Sequence, residues 1–269
     1  MGDERAPLRA DELTAAIVRG GALWRAVRVT PSTASTSADL AAVAGTEAEG
    51  LIQVAEFQER GRGRLDRTWQ APPRSALTFS VLLAPADVAV DRWPWLPLLA
   101  GVAAVDALAD VLPQGAGLKW PNDVLVGDRK VAGILAERVG GALVLGMGLN
   151  VSLRADELPV DTATSLLLAG AADVDRTALL AALLDRLAAE YVAWRRAAGD
   201  ATASGLLDRY RQRCVTLGRA VRVQLPGDQV LDGTAIDVAP SGALLVTDPA
   251  GSEHELAAGD VVHVRPTPP

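Results

Sequence analysis

The sequence predicts an α+β domain over residues 1–215 and a small all-β domain over residues 216–269. Up to residue 198, segments with apolar residues at alternate positions are interspersed with segments whose apolar residues recur every three or four positions, marking strands and helices. Near residue 215 the helical spacing ends. Beyond it, short alternating runs recur between turn signals, the pattern of a small barrel.

Residues 11–19 (DELTAAIVR) read as a short helix with Asp11 as its cap. Residues 23–29 (LWRAVRV) alternate as a strand does. A Ser/Thr cluster, TPSTASTS at 30–37, precedes a helical run at 38–44. Strands are expected at 51–57 and 75–83, separated by a long polar segment at 58–74. A helix around 97–112 places Leu98, Val102, Val105, Ala109 and Leu112 on one face, with Pro97 in the first turn, where proline is tolerated. GLKWPNDVLV, RKVAGILAERV and ALVLGMGLNV follow, the last two joined by a hairpin turn at Gly140-Gly141. A second helix at 176–198 carries Leu180, Leu184, Leu187, Tyr191 and Trp194 on one stripe behind the cap Asp175. In the last segment Val221, Val223 and Leu225 alternate, with turn signals at 226–228, 240–242, 248–251 and 258–260.

At 49% hydrophobic and 22% charged residues the composition is that of an ordinary globular protein. The single cysteine, Cys214, permits no internal disulfide and suits a reducing compartment. His254 and His263 have no Cys/His cluster around them, so no protein-held metal is expected. The acidic N-terminus is unlike a signal peptide. The apolar stretch from Trp93 to Leu112 is broken by Pro94, Pro97, Asp106 and Asp110, and reads as a buried helix rather than a membrane span. A cytoplasmic location is therefore expected. A net charge of −7 argues against nucleic acid as a main partner.

Of the 26 cationic residues only Lys119 and Lys130 are lysines. Generic surface charge in an arginine-rich chain accounts for the arginines. The two lysines mark places where a compact point charge suits and a planar fork does not, or are leftovers of the same bias. Residues 58–74 (QERGRGRLDRTWQAPPR) set five arginines against two acids, a local charge of 5 − 2 = +3. Gly61 and Gly63 let the backbone approach a ligand closely, and successive N–H groups there can hold an anion. Trp69 offers a flat face for a purine. The same segment also reads as a solvated loop, and its spacing is not that of a P-loop. Asn122 and Asp123 read as ligand groups or as ordinary turn residues. Trp93, Trp95, Trp120 and the Gly and Leu residues of GMGLNV read as packing, Cys214 as a small buried hydrophobe, and His263 as structural.

Four segments in order carry a family resemblance. GRGRLDRTW at 61–69 resembles the biotinyl-AMP-binding loop of the biotin protein ligases. KWPNDVLV at 119–126, KVAGILAE at 130–137 and GMGLNV at 146–151 are similar to three further motifs of that family, and STS at 35–37 stands where the family usually has STN. On these residues the chain is identified as a member of the family, of the monofunctional type without an N-terminal DNA-binding domain. The resemblance implies a central mixed sheet flanked by helices, like the class II aminoacyl-tRNA synthetases, and a C-terminal SH3-like β-barrel. It implies activation of biotin by ATP and Mg2+ to biotinyl-AMP, with release of pyrophosphate. Biotin then passes to a lysine of a biotin carboxyl carrier protein, with release of AMP. The protein would be a monomer or a homodimer, with no membrane or nucleic-acid partner.

Carried over by position, the resemblance places Ser35, Thr36, Ser37 and Gln58 in the biotin pocket. Arg62, Gly63 and Arg64 would close over biotin and the phosphate. Lys130 and Arg64 would be catalytic, Lys130 contacting first the biotin carboxylate and then the acyl phosphate. Arg67, Trp69, Asn122, Asp123 and Asn150 would serve the nucleotide, with Asp123 bracing Arg67. Two residues depart from the pattern: Ser37 replaces asparagine, and Asp66 replaces a loop glycine, bringing a carboxylate beside the phosphate site or pinning Arg64 or Arg67. The alternatives are a lipoate-type ligase and a biotin-sensing DNA-binding repressor. The arginine-glycine loop and KWPND favour biotin, and the roughly 34 residues before STS are too few for a helix-turn-helix domain.

Overall fold

A computed structural model describes residues 5–18, 23–64, 67–171, 173–225, 229–257 and 259–263. The turn signal at 226–228, Ala258 of the last turn, and Asp66 lie outside them. The chain runs through α1 (Ala10–Val18), β1 (Ala26–Thr30), α2 (Thr36–Val43) and β2 (Leu51–Ala55) into a small hairpin, β3 (Gly61–Arg62) with β4 (Thr68–Trp69). β5 (Ala76–Leu83) and α3 (Trp95–Leu108) precede β6 (Gly117–Lys119), β7 (Asp123–Val126), β8 (Arg129–Val139) and β9 (Ala142–Asn150). α4 (Arg176–Arg196) and α5 (Leu206–Arg213) follow. The chain then enters β10 (Ala220–Gln224), β11 (Val230–Val238), β12 (Leu244–Thr247), β13 (Glu253–Leu256) and β14 (Asp260–His263).

The central sheet is mixed, in the order β1-β2-β5-β9-β8-β7-β6, with β1 parallel to β2 and every other pair antiparallel. β2, β5 and β9 are buried along their whole length. Full burial on both sides replaces the alternation that a half-exposed strand would show. One face packs on α3 and α4, where Leu77, Val81, Leu145 and Leu149 join Leu99, Val102, Leu180, Leu184 and Leu187 in the main core. On the other face α2 covers part of the sheet through Leu40, which packs with Leu51, Leu82 and Val144. The uncovered remainder of that face holds the cleft described below.

Local signals set some boundaries and tertiary packing set others. Asp175 caps α4, accepting hydrogen bonds from the N–H groups of Thr177 (2.9 Å) and Ala178 (3.2 Å). Asp11, expected to cap α1, lies inside its first turn instead, where an acid still favours the helix dipole. α3 begins at Trp95 and is buried nearly all round rather than on one face, because it is enclosed by the sheet, α4 and α5. The two-residue strands β3 and β4 are too short to carry a periodicity, and α5, whose Leu206, Leu207 and Tyr210 form its buried side, is an element the sequence reading missed.

The C-terminal strands form one antiparallel sheet in the order β13-β12-β11-β10-β14. Among the described residues no β13–β14 ladder closes it into a hydrogen-bonded barrel. Its apolar face is continuous with the main core through Val221, Val223, Ala235 and Val246. Two indoles tie it down: Trp95 Nε1 donates to the Pro240 carbonyl (2.8 Å) and Trp120 Nε1 to the Gly242 carbonyl (3.0 Å). Such a partner offsets the cost of burying an indole N–H. No helix among the described residues is long and apolar enough to cross a membrane.

Candidate functional site

The floor of the cleft is a place where the sheet lacks side chains. Gly133 of β8 pairs with Gly148 of β9, and the Trp69 indole lies against both. A Cβ at Gly148 would fall 2.2 Å from Trp69 Cε2, and one at Gly133 would fall 3.3 Å from Trp69 Cζ3. The GMGLN run thus alternates apolar side chains into the core (Met147, Leu149) with bare backbone toward the cleft. The glycines read as packing are buried, and what packs on Gly146 and Gly148 is the cleft's own Ser37 and Trp69.

Lys130 reaches the same face through a bulge. The β7–β8 register shifts between Val124 and Leu125, so that Val124 opposes Ala132 while Leu125 opposes Lys130. Val131 and Ala132 then both enter the core, and Lys130 points where Gly133 does, its Nζ 2.9 Å from where a Gly133 Cβ would be. Bulges commonly re-aim a side chain in this way. Lys130 Nζ lies 2.6 Å from Asp123 Oδ1 and 5.9 Å from the Trp69 ring centroid, within cation–π range. Its backbone is pinned on both sides, N–H to the Thr162 carbonyl and carbonyl from the Thr164 N–H, each at 2.8 Å.

The β3–β4 hairpin folds over this floor. The Gly63 N–H donates to the Arg67 carbonyl (2.7 Å), and the Arg67 N–H to the Arg64 carbonyl (3.2 Å). Arg62 pairs with Glu137. Arg64 donates to Asn122 Oδ1 (3.0 Å) and to the Gly259 carbonyl (2.9 Å), so one guanidinium ties the hairpin both to the β6–β7 turn and to the start of β14. Burial lowers its pKa from the usual arginine value, opposed by the charges of Asp260 and Asp123. Arg67 pairs with Asp260 of β14, and that hydrogen bond raises its pKa. The expected Asp123–Arg67 brace is therefore replaced: Asp123, opposite Gly133 in the β7–β8 ladder, pairs with the Lys130 ammonium.

Ser35 caps α2 through a long contact, Ala38 N–H to Oγ at 3.4 Å. Its neighbours build a buried polar corner. Gln58 Oε1 accepts from the Thr36 N–H (2.8 Å) and from Thr36 Oγ1 (3.0 Å). Thr36 Oγ1 and Ser37 Oγ lie 2.8 and 3.0 Å from Ser80 Oγ. At the opposite end Asn150 Nδ2 donates to the Thr164 carbonyl (2.9 Å), while its buried Oδ1 has no protein partner. Asn122 is fixed by paired bonds with Ile134, both 2.9 Å.

Beside them Lys119 is half-buried, and burial lowers its pKa against the pull of Asp123 and Asp260. His263 hydrogen-bonds with Thr216 Oγ1 (3.1 Å), and Arg219 pairs with Asp128 (2.7 Å). Burial, then Lys119 and Arg219, push the His263 pKa down to about 4, so the ring is neutral near pH 7.

All thirteen side chains and loop residues expected from the sequence (Ser35, Thr36, Ser37, Gln58, Arg62, Gly63, Arg64, Arg67, Trp69, Asn122, Asp123, Lys130 and Asn150) line one cleft of about 1530 Å³. Asp260, Arg219, His263 and the floor glycines line it as well, and sequence reasoning had not placed them there. Ser80 lies just beneath. Arg64, Arg67, Lys119, Lys130 and Arg219 make the cleft cationic in an acidic chain. Such a site concentrates anions. It offers an anionic ligand a mobile point charge, two arginine forks, an aromatic face and a polar pocket.

Residues 26–153 match the biotin/lipoate A/B protein ligase family, and residues 216–264 match the biotin protein ligase C terminal domain. The chain is 42% identical over 266 residues to the biotin--[acetyl-CoA-carboxylase] ligase of Mycobacterium tuberculosis, with 97% of each covered. It is 29% identical to the bifunctional ligase/repressor BirA of Escherichia coli, covering 82% of this chain and 68% of that protein. The structure of a biotin protein ligase from Aquifex aeolicus in complex with biotin and ATP is similar to 90% of this chain and all of that one. The TM-score is 0.77 at 27% identity.

Proposed function

Because the chain belongs to the biotin protein ligase family, we infer that its cleft joins biotin to an acceptor lysine in two steps through biotinyl-AMP. The observation that carries this reading is the meeting of Lys130, Trp69 and the Arg64/Arg67 hairpin over a glycine floor. In the first step a biotin carboxylate oxygen bonds to the α-phosphorus of ATP, the bond to the β-phosphate breaks, and pyrophosphate leaves. Both reactants are anions, so the cations must offset their repulsion and the charge that grows on phosphorus. Lys130, on β8, would follow the carboxylate oxygen into the anhydride. In the second step the acceptor amine attacks the acyl carbon, the bond to AMP breaks, and the amine loses a proton.

Ser35, Thr36, Ser37 and Gln58 would hold the ureido ring of biotin, with Arg62, Gly63 and Arg64 closing over its carboxylate. Trp69 would flank adenine, and the unpaired Asn150 Oδ1 suits an amino donor such as that of a purine. Asn122, Asp123 and Arg67 would serve the nucleotide side. Among the described residues no group of three His, Cys, Asp or Glu side chains could hold a metal. Mg2+ would be carried mainly by the phosphates of ATP. The ion would shield the triphosphate charge. The acceptor would be the biotin carrier domain of an acyl-CoA carboxylase, and the two domains divide at residues 215 and 216. A cytoplasmic setting suits these reactants.

The test is incubation with biotin, ATP, Mg2+ and a carrier domain. Biotin should appear on one acceptor lysine, with AMP and pyrophosphate in equal amounts, and lipoate should not replace it. Lipoate transfer at the biotin rate would favour the lipoate-type reading.

The Arg67–Asp260 pair is largely exposed and contributes little to stability, on the order of 0–1 kcal/mol. Asp260→Asn is expected to leave the thermal midpoint nearly unchanged and to raise the KM for ATP several-fold more than that for biotin. Steady-state kinetics with each substrate varied checks this. An unchanged ATP KM would show that Arg67 is held by other contacts.

A further inference from the structure

We propose that Ser80 is a positioning residue that relays to Ser37 the hydrogen-bond direction set at Thr36 and Gln58, and so makes Ser37 Oγ a pure acceptor toward the ligand. This rests on the biotin reading above and deepens it.

The argument runs from the one group whose role is forced. A backbone N–H can only donate, so the atom 2.8 Å from Thr36 N is the Gln58 oxygen and not its amide nitrogen. Thr36 Oγ1, 3.0 Å from that same oxygen, must spend its only proton on it. Thr36 Oγ1 then accepts in its 2.8 Å contact with Ser80 Oγ, so the Ser80 proton points at Thr36. Ser80 Oγ in turn accepts in its 3.0 Å contact with Ser37, so the Ser37 proton points at Ser80. Each hydroxyl has one proton, and the chain Ser37 to Ser80 to Thr36 to Gln58 uses all three. Ser80 is fully buried, and Thr36 and Ser37 nearly so, which leaves water little access to reverse the chain.

Two donor/acceptor patterns result. Ser37 Oγ presents only lone pairs, and the Gln58 amide presents its Nε2 protons. A cyclic urea has the matching pattern, with N–H donors beside a carbonyl acceptor. Ser37 thereby offers the lone pairs that an asparagine carbonyl would offer at this position. Gly146, opposite Ser80 in the ladder, is part of the arrangement: a Cβ there would lie 2.6 Å from Ser37 Oγ and 3.2 Å from Ser80 Oγ.

The experiment compares binding of biotin and of biotin methylated at a ureido nitrogen to the wild-type protein, Ser80→Ala and Ser80→Thr, by calorimetry with thermal melts alongside. Wild type should discriminate strongly between the two ligands. In Ser80→Ala the Ser37 hydroxyl is free to turn, and the discrimination ratio should fall about tenfold, the size of one hydrogen bond. Ser80→Thr keeps the hydroxyl and should keep the ratio. A purely structural lesion would weaken both ligands alike and leave the ratio unchanged. That result in Ser80→Ala, with wild type discriminating, would overturn the assignment of Ser80 alone. Wild-type protein that binds neither ligand would overturn the biotin reading and this assignment together.

Discussion

Lys130→Ala is expected to slow formation of biotinyl-AMP by roughly 100- to 1000-fold, the usual cost of losing one preorganised donor at a developing charge. The lysine side chain is a third exposed, so its loss should move the thermal midpoint by only a few degrees. Its removal also takes from Asp123 its ion-pair partner, leaving that carboxylate charge less compensated beside two anionic substrates. The defect should therefore appear in the chemical step as well as in binding. Lys130→Arg should recover little, because the broad guanidinium would have to fit between the Gly133 backbone and the Trp69 ring. Single-turnover measurement of pyrophosphate release checks both variants. A rate for Lys130→Ala within tenfold of wild type would remove the lysine from the mechanism.

Gly148→Val should be nearly as damaging, for a steric reason. Gly148 does not need a positive φ, and valine suits a central strand, so the sheet itself should tolerate the change. The Trp69 indole cannot stay, because even a Cβ would lie 2.2 Å from it. Trp69 is paired with Gly61 across the hairpin, so displacing it lifts the β3–β4 turn and moves Arg64 and Arg67 with it. The KM for ATP should rise more than tenfold while the far-ultraviolet circular dichroism is retained. Trp69→Ala should make the second change nearly silent, since sites in direct contact are not additive. Full additivity of the two substitutions would show that the indole does not rest on Gly148.

Most chemistry-bearing residues of the cleft were legible because they sit in four short segments that resemble family motifs, and the same resemblance pointed to Ser35, Thr36, Ser37 and Gln58 outside them. A lysine in an arginine-rich sequence and a run of alternating glycine and arginine stand out locally. The residues that support them do not. Ser80 lies on a largely apolar strand, and only the α2–β5 packing brings it to Thr36, 44 positions away. Asp260 is 193 positions from Arg67 and was one acid among many. Gly133 and Gly148 gain their meaning from antiparallel register, which no window of sequence contains. The bulge that turns Lys130 toward the cleft is likewise a property of the β7–β8 pair. Strong local signals, such as the Asp175 cap and the Gly140-Gly141 turn, positioned their elements well. The full burial of α3 depended on what packs around it.

The most direct test is to mix the purified protein with biotin and ATP in the presence of Mg2+ and no acceptor, then to quantify biotinyl-AMP against protein. One tightly held biotinyl-AMP per cleft, with equimolar pyrophosphate and full transfer on adding a carrier domain, is the predicted result. Absence of the adenylate, with biotin and ATP recovered unchanged, would contradict the assignment of this cleft to biotin activation.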